Sequence, residues 1–224
     1  MKHKPWSSFI VLSLVSSATL AGCLEPVATV ERDFAVGDVT RVRIDDGAGD
    51  IEVVGEVGRT TISLTVELRS QRATRRDDDD AEAAIELDYV IDGEVGRIVQ
   101  QLVDAPDGYA LDLIAHVPAE LAVEIADDQG DVVIEGVAGV DVRQDRGDLD
   151  IHDIAGSVSI RQGSGDIAID DVGGHIEVFD GSGDITIDGA AADVVIDDGS
   201  GDISVRADGN VEIVGDDGGD VDVG

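Results

Sequence analysis

The residues best placed to do chemistry are aspartates that recur at a fixed interval in the second half of the chain. Each follows a glycine, and successive members are 18 residues apart: Asp148, Asp166, Asp184, Asp202 and Asp220. Clustered carboxylates are ligands that calcium prefers. Carboxylates next to glycine turns can instead accept hydrogen bonds from the N–H groups of the turn. The spacing favours this capping role, with a calcium ladder as the alternative.

A constant interval of this length is typical of a solenoid, in which each repeat forms one coil stacked on the next. The segment Gly-Ser-Gly-Asp-Ile begins at position 163 and returns at 181 and 199. Calcium-binding β-rolls carry Gly-Gly-x-Gly-x-Asp, whereas Asp184 follows Gly183 directly and so stands one place early. The repeat therefore predicts an architecture, and it does not match the known calcium motif.

Each coil contains two short runs in which apolar and polar residues alternate. Ile167 and Ile169 belong to one run, and Ile176 and Val178 belong to the other. Such alternation is typical of strands with one buried face. We predict an all-β fold, a parallel β-solenoid with two short strands per 18-residue coil, in which like residues stack about 4.8 Å apart and acidic side chains face solvent. An irregular interval near Val214 predicts a β-bulge.

The N-terminal half departs from the regular interval. Residues 60–117 contain longer alternating runs that are separated by turn signals. We expect an antiparallel β section there, flanking the solenoid, with Pro118 at a strand boundary because proline has no N–H to donate. Regular coils are predicted over 130–224, within a single β-solenoid domain over 38–224.

The first residues predict export and lipid attachment. A basic start leads into an apolar run of about 12 residues, too short to span a bilayer, and this run ends in Leu-Ala-Gly-Cys. The ending resembles the lipobox of bacterial lipoproteins, which implies a signal peptide over 1–22, lipidation of Cys23, and a tether over 23–37. The lipid would hold the protein to a membrane of the cell envelope. Leu24, where an inner-membrane signal has Asp, favours the outer membrane.

The net charge of the mature chain argues against nucleic acids as partners. The chain has 50 acidic residues, all beyond the signal, and of its 15 basic residues Lys2 and Lys4 lie within it. The remaining 13 arginines leave the mature chain with a net charge of −37. Nucleic acids and anionic lipid surfaces are bound through basic footprints. We therefore expect no nucleic-acid partner.

The repeats and the segment that precedes them resemble a known family. Val117-Pro118-x-x-Leu121-x-Val123 leads into tandem Gly-Asp-Ile coils, as in a bacterial family named putative adhesins, which is akin to the autotransporter-adhesin head GIN domain and has no known function. The resemblance spans about 38–224. It implies a β-solenoid at the cell envelope, often tethered to a membrane, and it supplies no catalytic site.

No motif in the sequence indicates catalysis. The histidines beyond the signal, His116, His152 and His175, are widely spaced, and no P-loop or dinucleotide fingerprint occurs. We expect a non-enzymatic module, either adhesin-like or structural, with an envelope protein or a glycan as its partner and with no cofactor unless calcium binds the aspartate ladder. The alternatives are a calcium-dependent scaffold and self-association through the strand near the C-terminus.

Overall fold

The computed structural model describes residues 26–70, 85–102 and 109–224. The chain is all-β over these ranges, and its strands form a 10-stranded sheet and a 9-stranded sheet. The strands are β1 Ala28–Ala35, β2 Arg41–Asp46, β3 Ile51–Glu56, β4 Thr61–Ser70, β5 Ile85–Asp92, β6 Val95–Leu102, β7 Tyr109–Pro118, β8 Ala122–Asp127, β9 Val132–Glu135, β10 Gly139–Gln144, β11 Leu149–Ile154, β12 Val158–Gln162, β13 Ile167–Val172, β14 Ile176–Asp180, β15 Ile185–Ala190, β16 Val194–Asp198, β17 Ile203–Ala207, β18 Val211–Asp216 and β19 Val221–Val223. The all-β prediction is confirmed.

The two sheets, named A and B here, face each other across a shared aliphatic core. The order in sheet A is β1-β4-β7-β3-β9-β11-β13-β15-β17-β19, and in sheet B it is β18-β16-β14-β12-β10-β8-β2-β6-β5. From β8 onward each coil gives one strand to sheet B and the next to sheet A. Neighbouring coils pair in parallel and in register, as in Ile167 with Ile185 and Ile176 with Val194. This confirms the parallel β-solenoid with two short strands per coil.

The predicted bulge lies in β18. Ile196 of β16 pairs with Ile213, whereas the next residue, Asp197, pairs with Gly215. Val214 is therefore the extra residue, and its side chain is 63% exposed. The bulge restores the register after a shortened corner, since Ala190 pairs with Ala207 at an interval of 17 instead of 18.

The coils near the N-terminus do not stack in chain order. Strands β2 and β3 lie between the β6–β7 coil on one side and the β8–β9 coil on the other. The predicted antiparallel section is present, because β4 pairs antiparallel with β7 and β5 with β6. Its strands β6 and β7 also pair in parallel with β2 and β3, so this section contributes a coil to the stack. Pro118 ends β7, as predicted.

The segment predicted as a tether is partly a strand, and the prediction is wrong there. Residues 28–35 form β1, which pairs antiparallel with β4 along its whole length. The reason is apolar burial: Val30 is 2% exposed, and Phe34 packs against the core. The ring of Phe34 lies 5.6 Å from that of Tyr89, whose hydroxyl donates to the carbonyl of Val36 at 3.1 Å. These side chains cover the N-terminal end of the core.

Candidate functional site

The predicted aspartates form one continuous column on the surface, at the start of successive strands of sheet A. The backbone N–H of Asp166 donates to Asp148 Oδ1 at 3.0 Å, and that of Asp184 donates to Asp166 Oδ1 at 3.0 Å. Asp202 and Asp220 continue the series at 2.9 Å each. Each carboxylate from Asp148 to Asp202 therefore caps the backbone of the next coil, which is the structural role that the spacing favours.

The column is longer than the sequence interval predicts, and it follows the order of coils in space. Three more members extend it toward the N-terminal end: Asp131, Asp50 and Asp112. Asp112 differs from the others because it is 8% exposed and forms an ion pair with Arg69. Burial raises the pKa of Asp112, against the opposing effects of its hydrogen bond from Asp50 and of Arg69.

Capping engages one of the two oxygen atoms that each carboxylate could offer to a cation in the column. Asp148, Asp166 and Asp184 border an open groove of about 510 Å³ together with Val133 and Thr186, but one oxygen of each of these carboxylates already accepts a backbone N–H. Within residues 26–70, 85–102 and 109–224, no three His, Cys, Asp or Glu side chains are grouped to hold a metal ion. Calcium binding by the column stays a prediction from the sequence.

A second polar column, which sequence reasoning missed, lies inside the solenoid at the ends of the sheet B strands. The expectation that acidic side chains face solvent is wrong for three of its carboxylates: Asp127 is 4% exposed, Asp180 8% and Asp198 3%. Register pairs successive members from Asp46 onward, and Gln100 precedes Asp46 because the residues before them, Val99 and Asp45, pair. In spatial order this interior column comprises Gln100, Asp46, Asp127, Gln144, Gln162, Asp180, Asp198 and, exposed at its end, Asp216.

The interior column satisfies backbone groups of the turns that connect sheet B to sheet A. Asp198 Oδ1 accepts the N–H of Ser200 at 3.2 Å, and Asp180 Oδ1 accepts that of Gly181 at 2.8 Å. Gln162 works in the opposite sense, since its Nε2 donates to the carbonyl of Gly147 at 2.7 Å. Buried backbone groups need such partners because they are shielded from water. This requirement explains why polar side chains stand at inward positions.

Burial perturbs the carboxyl groups of the interior column. Loss of solvation raises the pKa of Asp127 to about 7, and the neighbouring charge of Asp46 acts in the same direction. Loss of solvation also raises the pKa of Asp180 to about 6, with the charge of Asp198 adding to it. The pKa values of Asp46 and Asp198 are raised for the same first reason. The column therefore has a higher proton affinity than ordinary surface aspartates.

The outer face of sheet B carries an arginine network in an otherwise acidic protein. Arg43 bonds to Asp45 at 2.7 Å and to Glu124 at 2.8 Å. Arg97, one strand away on β6, contacts the other oxygen of Asp45 at 3.0 Å. Arg143 on β10 lies 3.8 Å from Glu124 and continues the network along the sheet. This face therefore presents both charge signs side by side.

Next to this network lies a cation–aromatic pair. The guanidinium carbon of Arg161 on β12 is 5.1 Å from the ring centroid of Phe179, its register neighbour on β14. Arg161 is exposed and forms no ion pair with any residue in the described part of the chain. Arg161 and Arg143 border an open groove of about 520 Å³, which also contacts Asp45 and Asp145. The 18-residue interval places the two members in register, but sequence reasoning missed this pair because neither belongs to a motif.

The other residues singled out in the sequence are Cys23 and three histidines, and the histidines do not form a common site in the described part of the chain. Cys23 and the predicted signal lie outside the described residues. The Nδ1 of His116 is 2.8 Å from Glu56, and that of His152 is 3.3 Å from Asp150. β3 and β9 separate their strands in sheet A. His175 is exposed beside sheet B. In the ranges that the structure describes, no helix has the length and hydropathy to cross a membrane.

Comparisons with known proteins find similar solved structures. No protein-family model and no curated protein matches the sequence. A "putative adhesin" from Bacteroides fragilis is 17% identical with a TM-score of 0.49, over 90% of this chain and 100% of that one. A "putative cell adhesion protein" from Clostridium sporogenes is 8% identical with a TM-score of 0.37, over 89% and 100%. A "putative lipid binding protein" from Parabacteroides distasonis is 12% identical with a TM-score of 0.29, over 88% and 96%.

Proposed function

We propose that this chain is a lipid-anchored, non-enzymatic module of the bacterial cell envelope that binds another envelope component through the outer face of sheet B. The anchor is the acylated Cys23, inferred from the Leu-Ala-Gly-Cys sequence at the end of the apolar run. The flat outer faces of a stacked solenoid suit contact with an extended partner, either an envelope protein or a glycan. The outer membrane is the favoured location, because Leu24 stands where an inner-membrane signal has Asp.

The observation that carries this proposal is the pair formed by exposed Arg161 and half-buried Phe179. A few residues supply most of the binding energy at protein interfaces, with arginine prominent among them, and aromatic residues are enriched at such interfaces. Here the ring fixes the guanidinium at 5.1 Å, which lowers the entropic cost of presenting it to a partner. The flanking Arg43, Asp45 and Glu124 network is already paired, so it would act as a polar rim around the pair.

The test is capture of envelope components by the purified chain and by its double variant Arg161→Ala, Phe179→Ala. Loss of an interface hot spot costs about 2 kcal/mol or more, so affinity for the captured component should fall about thirtyfold. Arg206→Ala is the matched control, because that arginine is exposed on sheet A, 3.5 Å from Asp188. Equal capture by all three proteins would remove the sheet B face from the proposal.

A further inference from the structure

The interior column contains buried oxygen atoms without a hydrogen-bond partner on residues that are register neighbours. Asp127 Oδ2 and Gln144 Oε1 are both buried and have no hydrogen-bond partner, and register places these two residues side by side on β8 and β10. Asp180 Oδ2 and Gln162 Oε1 repeat the arrangement on β14 and β12. An ionised carboxylate and an amide oxygen are both acceptors, so neither pair can form a hydrogen bond as long as the carboxyl is charged.

The amide nitrogens of the two glutamines do not supply the missing donor, because Asp127 Oδ2 and Asp180 Oδ2 have no hydrogen-bond partner. Gln162 Nε2 donates to the carbonyl of Gly147 at 2.7 Å, and Gln144 Nε2 donates to the carbonyl of Gly130. These bonds engage the amide nitrogen with the turn, and the amide oxygen is the atom left without a partner. A buried acceptor without a donor destabilises the fold, and a proton on the carboxyl would satisfy both oxygens at once.

We propose that Asp127 and Asp180 are carboxylic acids in the folded protein, each donating its O–H to the stacked glutamine, so that the solenoid binds two protons in its interior when it folds. The proton comes from solvent and no covalent bond between heavy atoms changes. The two sites are related by position: an Asp–Gln pair lies on either side of the contact between Gln144 and Gln162.

The charged groups around each site favour the protonated form. Asp127 is faced by Asp46 on β2 and by Asp128 of its own turn. Asp180 is faced by Asp198 on β16 and by Asp166 of the surface column. The neighbouring charges that most perturb the two carboxyls are all acidic, and Arg143 and Arg161 border the same groove as Asp127. Each ionised neighbour raises the cost of a second charge, in the same sense as burial.

The sign of the pH dependence follows from linkage. Both groups bind protons more tightly in the folded chain than in the unfolded chain, so their contribution is complete below about pH 4, the unfolded value, and is lost as the pH rises through 6 and 7. Over pH 5.5 to 8 the two groups together should raise the equilibrium constant for unfolding about a hundredfold. Ordinary surface carboxylates are already ionised in this range, so they add little to the change.

The test compares the full chain with the double variant Asp127→Asn, Asp180→Asn. Asparagine keeps the side-chain shape and offers an N–H to the glutamine at every pH. Urea unfolding at 0.5 M NaCl from pH 5.5 to 8 should show the hundredfold change in the wild-type protein and less than a tenfold change in the variant. The control is Asp170→Asn, Asp188→Asn, which removes two exposed charges and should keep the wild-type pH dependence. Equal pH dependence in all three proteins would overturn the proposal.

A second measurement does not depend on the variants folding. Carboxyl carbon NMR of the wild-type protein should show two aspartates that titrate near pH 6 and 7, and assignment of those signals to other residues contradicts the proposal. Calcium provides the competing explanation, since a cation could also satisfy the unpartnered oxygens. If 1 mM calcium at pH 8 stabilises the wild-type protein and not the asparagine variant, the interior column holds a cation and the proton proposal is wrong.

Discussion

Asp184, in the middle of the surface column, allows the capping role to be separated from the charge. Its Oδ1 accepts the N–H of Asp202 at 2.9 Å, and its own N–H donates to Asp166 Oδ1 at 3.0 Å. Asp184→Ala removes the acceptor and the charge together. Asp184→Asn removes the charge but keeps an oxygen in the capping position, and asparagine caps turns about as well as aspartate.

Charge repulsion within the column and the capping hydrogen bond have opposite effects on the stability of the fold. Each neighbouring carboxylate in the column, about 4.8 Å away, repels Asp184 by about 0.9 kcal/mol in water before screening by salt. Loss of a partly exposed capping bond costs about 1 kcal/mol. Asp184→Asn should therefore stabilise the protein by about 0.5–1 kcal/mol at low salt, with the gain fading at 0.5 M salt. Asp184→Ala should be about 1 kcal/mol less stable than Asp184→Asn at either salt concentration.

Urea unfolding followed by circular dichroism at pH 7, in 20 mM and 500 mM NaCl, measures both differences. Asp170→Asn and Asp170→Ala form the matched control, because Asp170 is exposed beside Asp188 on sheet A and has no capping bond to lose. The two Asp170 variants should be equally stable. If Asp184→Ala and Asp184→Asn are also equally stable, the hydrogen-bonded column does not stabilise the fold and the capping argument fails.

Two further predictions concern the turns and the anchor. Gly183→Ala should destabilise the chain by about 3 kcal/mol, since Gly183 has a φ of +146° and a Cβ there would lie 1.9 Å from the carbonyl oxygen of Gly165. Gly218 has open space around it, so the control variant Gly218→Ala should change the urea midpoint little. Equal effects of the two substitutions would contradict the steric argument. Cys23→Ser should move the protein from the membrane fraction to the soluble fraction on cell fractionation, because the acyl chains supply the membrane affinity; unchanged membrane association would count against lipidation at Cys23.

The sequence predicts the regular part of this fold well because its two periods are independent and agree. Alternation of period two assigns the strands, and the 18-residue interval assigns their register, so the pairing of Ile167 with Ile185 follows from the two together. Even the bulge at Val214 is predictable, since an altered interval must be absorbed locally for Ile213 to remain opposite Ile196. Because the coils stack residue on residue, little freedom is left for other strand registers.

The order of the N-terminal coils could not be predicted in the same way. Strands β6 and β7 have no 18-residue interval that relates them to β2 and β3, so nothing in the sequence indicates that they stack on the outer side of that coil. The hydrogen bond from the N–H of Asp50 to Asp112 Oδ1 spans 62 residues. Long-range pairing of this kind depends on packing that no local pattern encodes.

The interior column did have a signal in the sequence. A polar residue stands four positions before each member of the surface column except Asp112, as Gln162 before Asp166 and Asp180 before Asp184, and in the regular coils its place in the alternation is inward. Reading every carboxylate as solvent-facing obscured it, because buried aspartates are rare in most proteins. The constant spacing of these polar residues from the turn indicates their inward orientation better than their residue type does.

The two columns act on opposite ends of the same turn, and this limits which substitutions the coils tolerate. Aspartate in the interior column accepts N–H groups, as Asp198 does from Ser200, whereas glutamine donates to a carbonyl, as Gln162 does to Gly147. Exchanging one for the other would face donor with donor or acceptor with acceptor, although both residues are polar and buried. Each coil must therefore match its turn backbone to its own interior residue, and coils that look interchangeable in sequence are not interchangeable in hydrogen bonding.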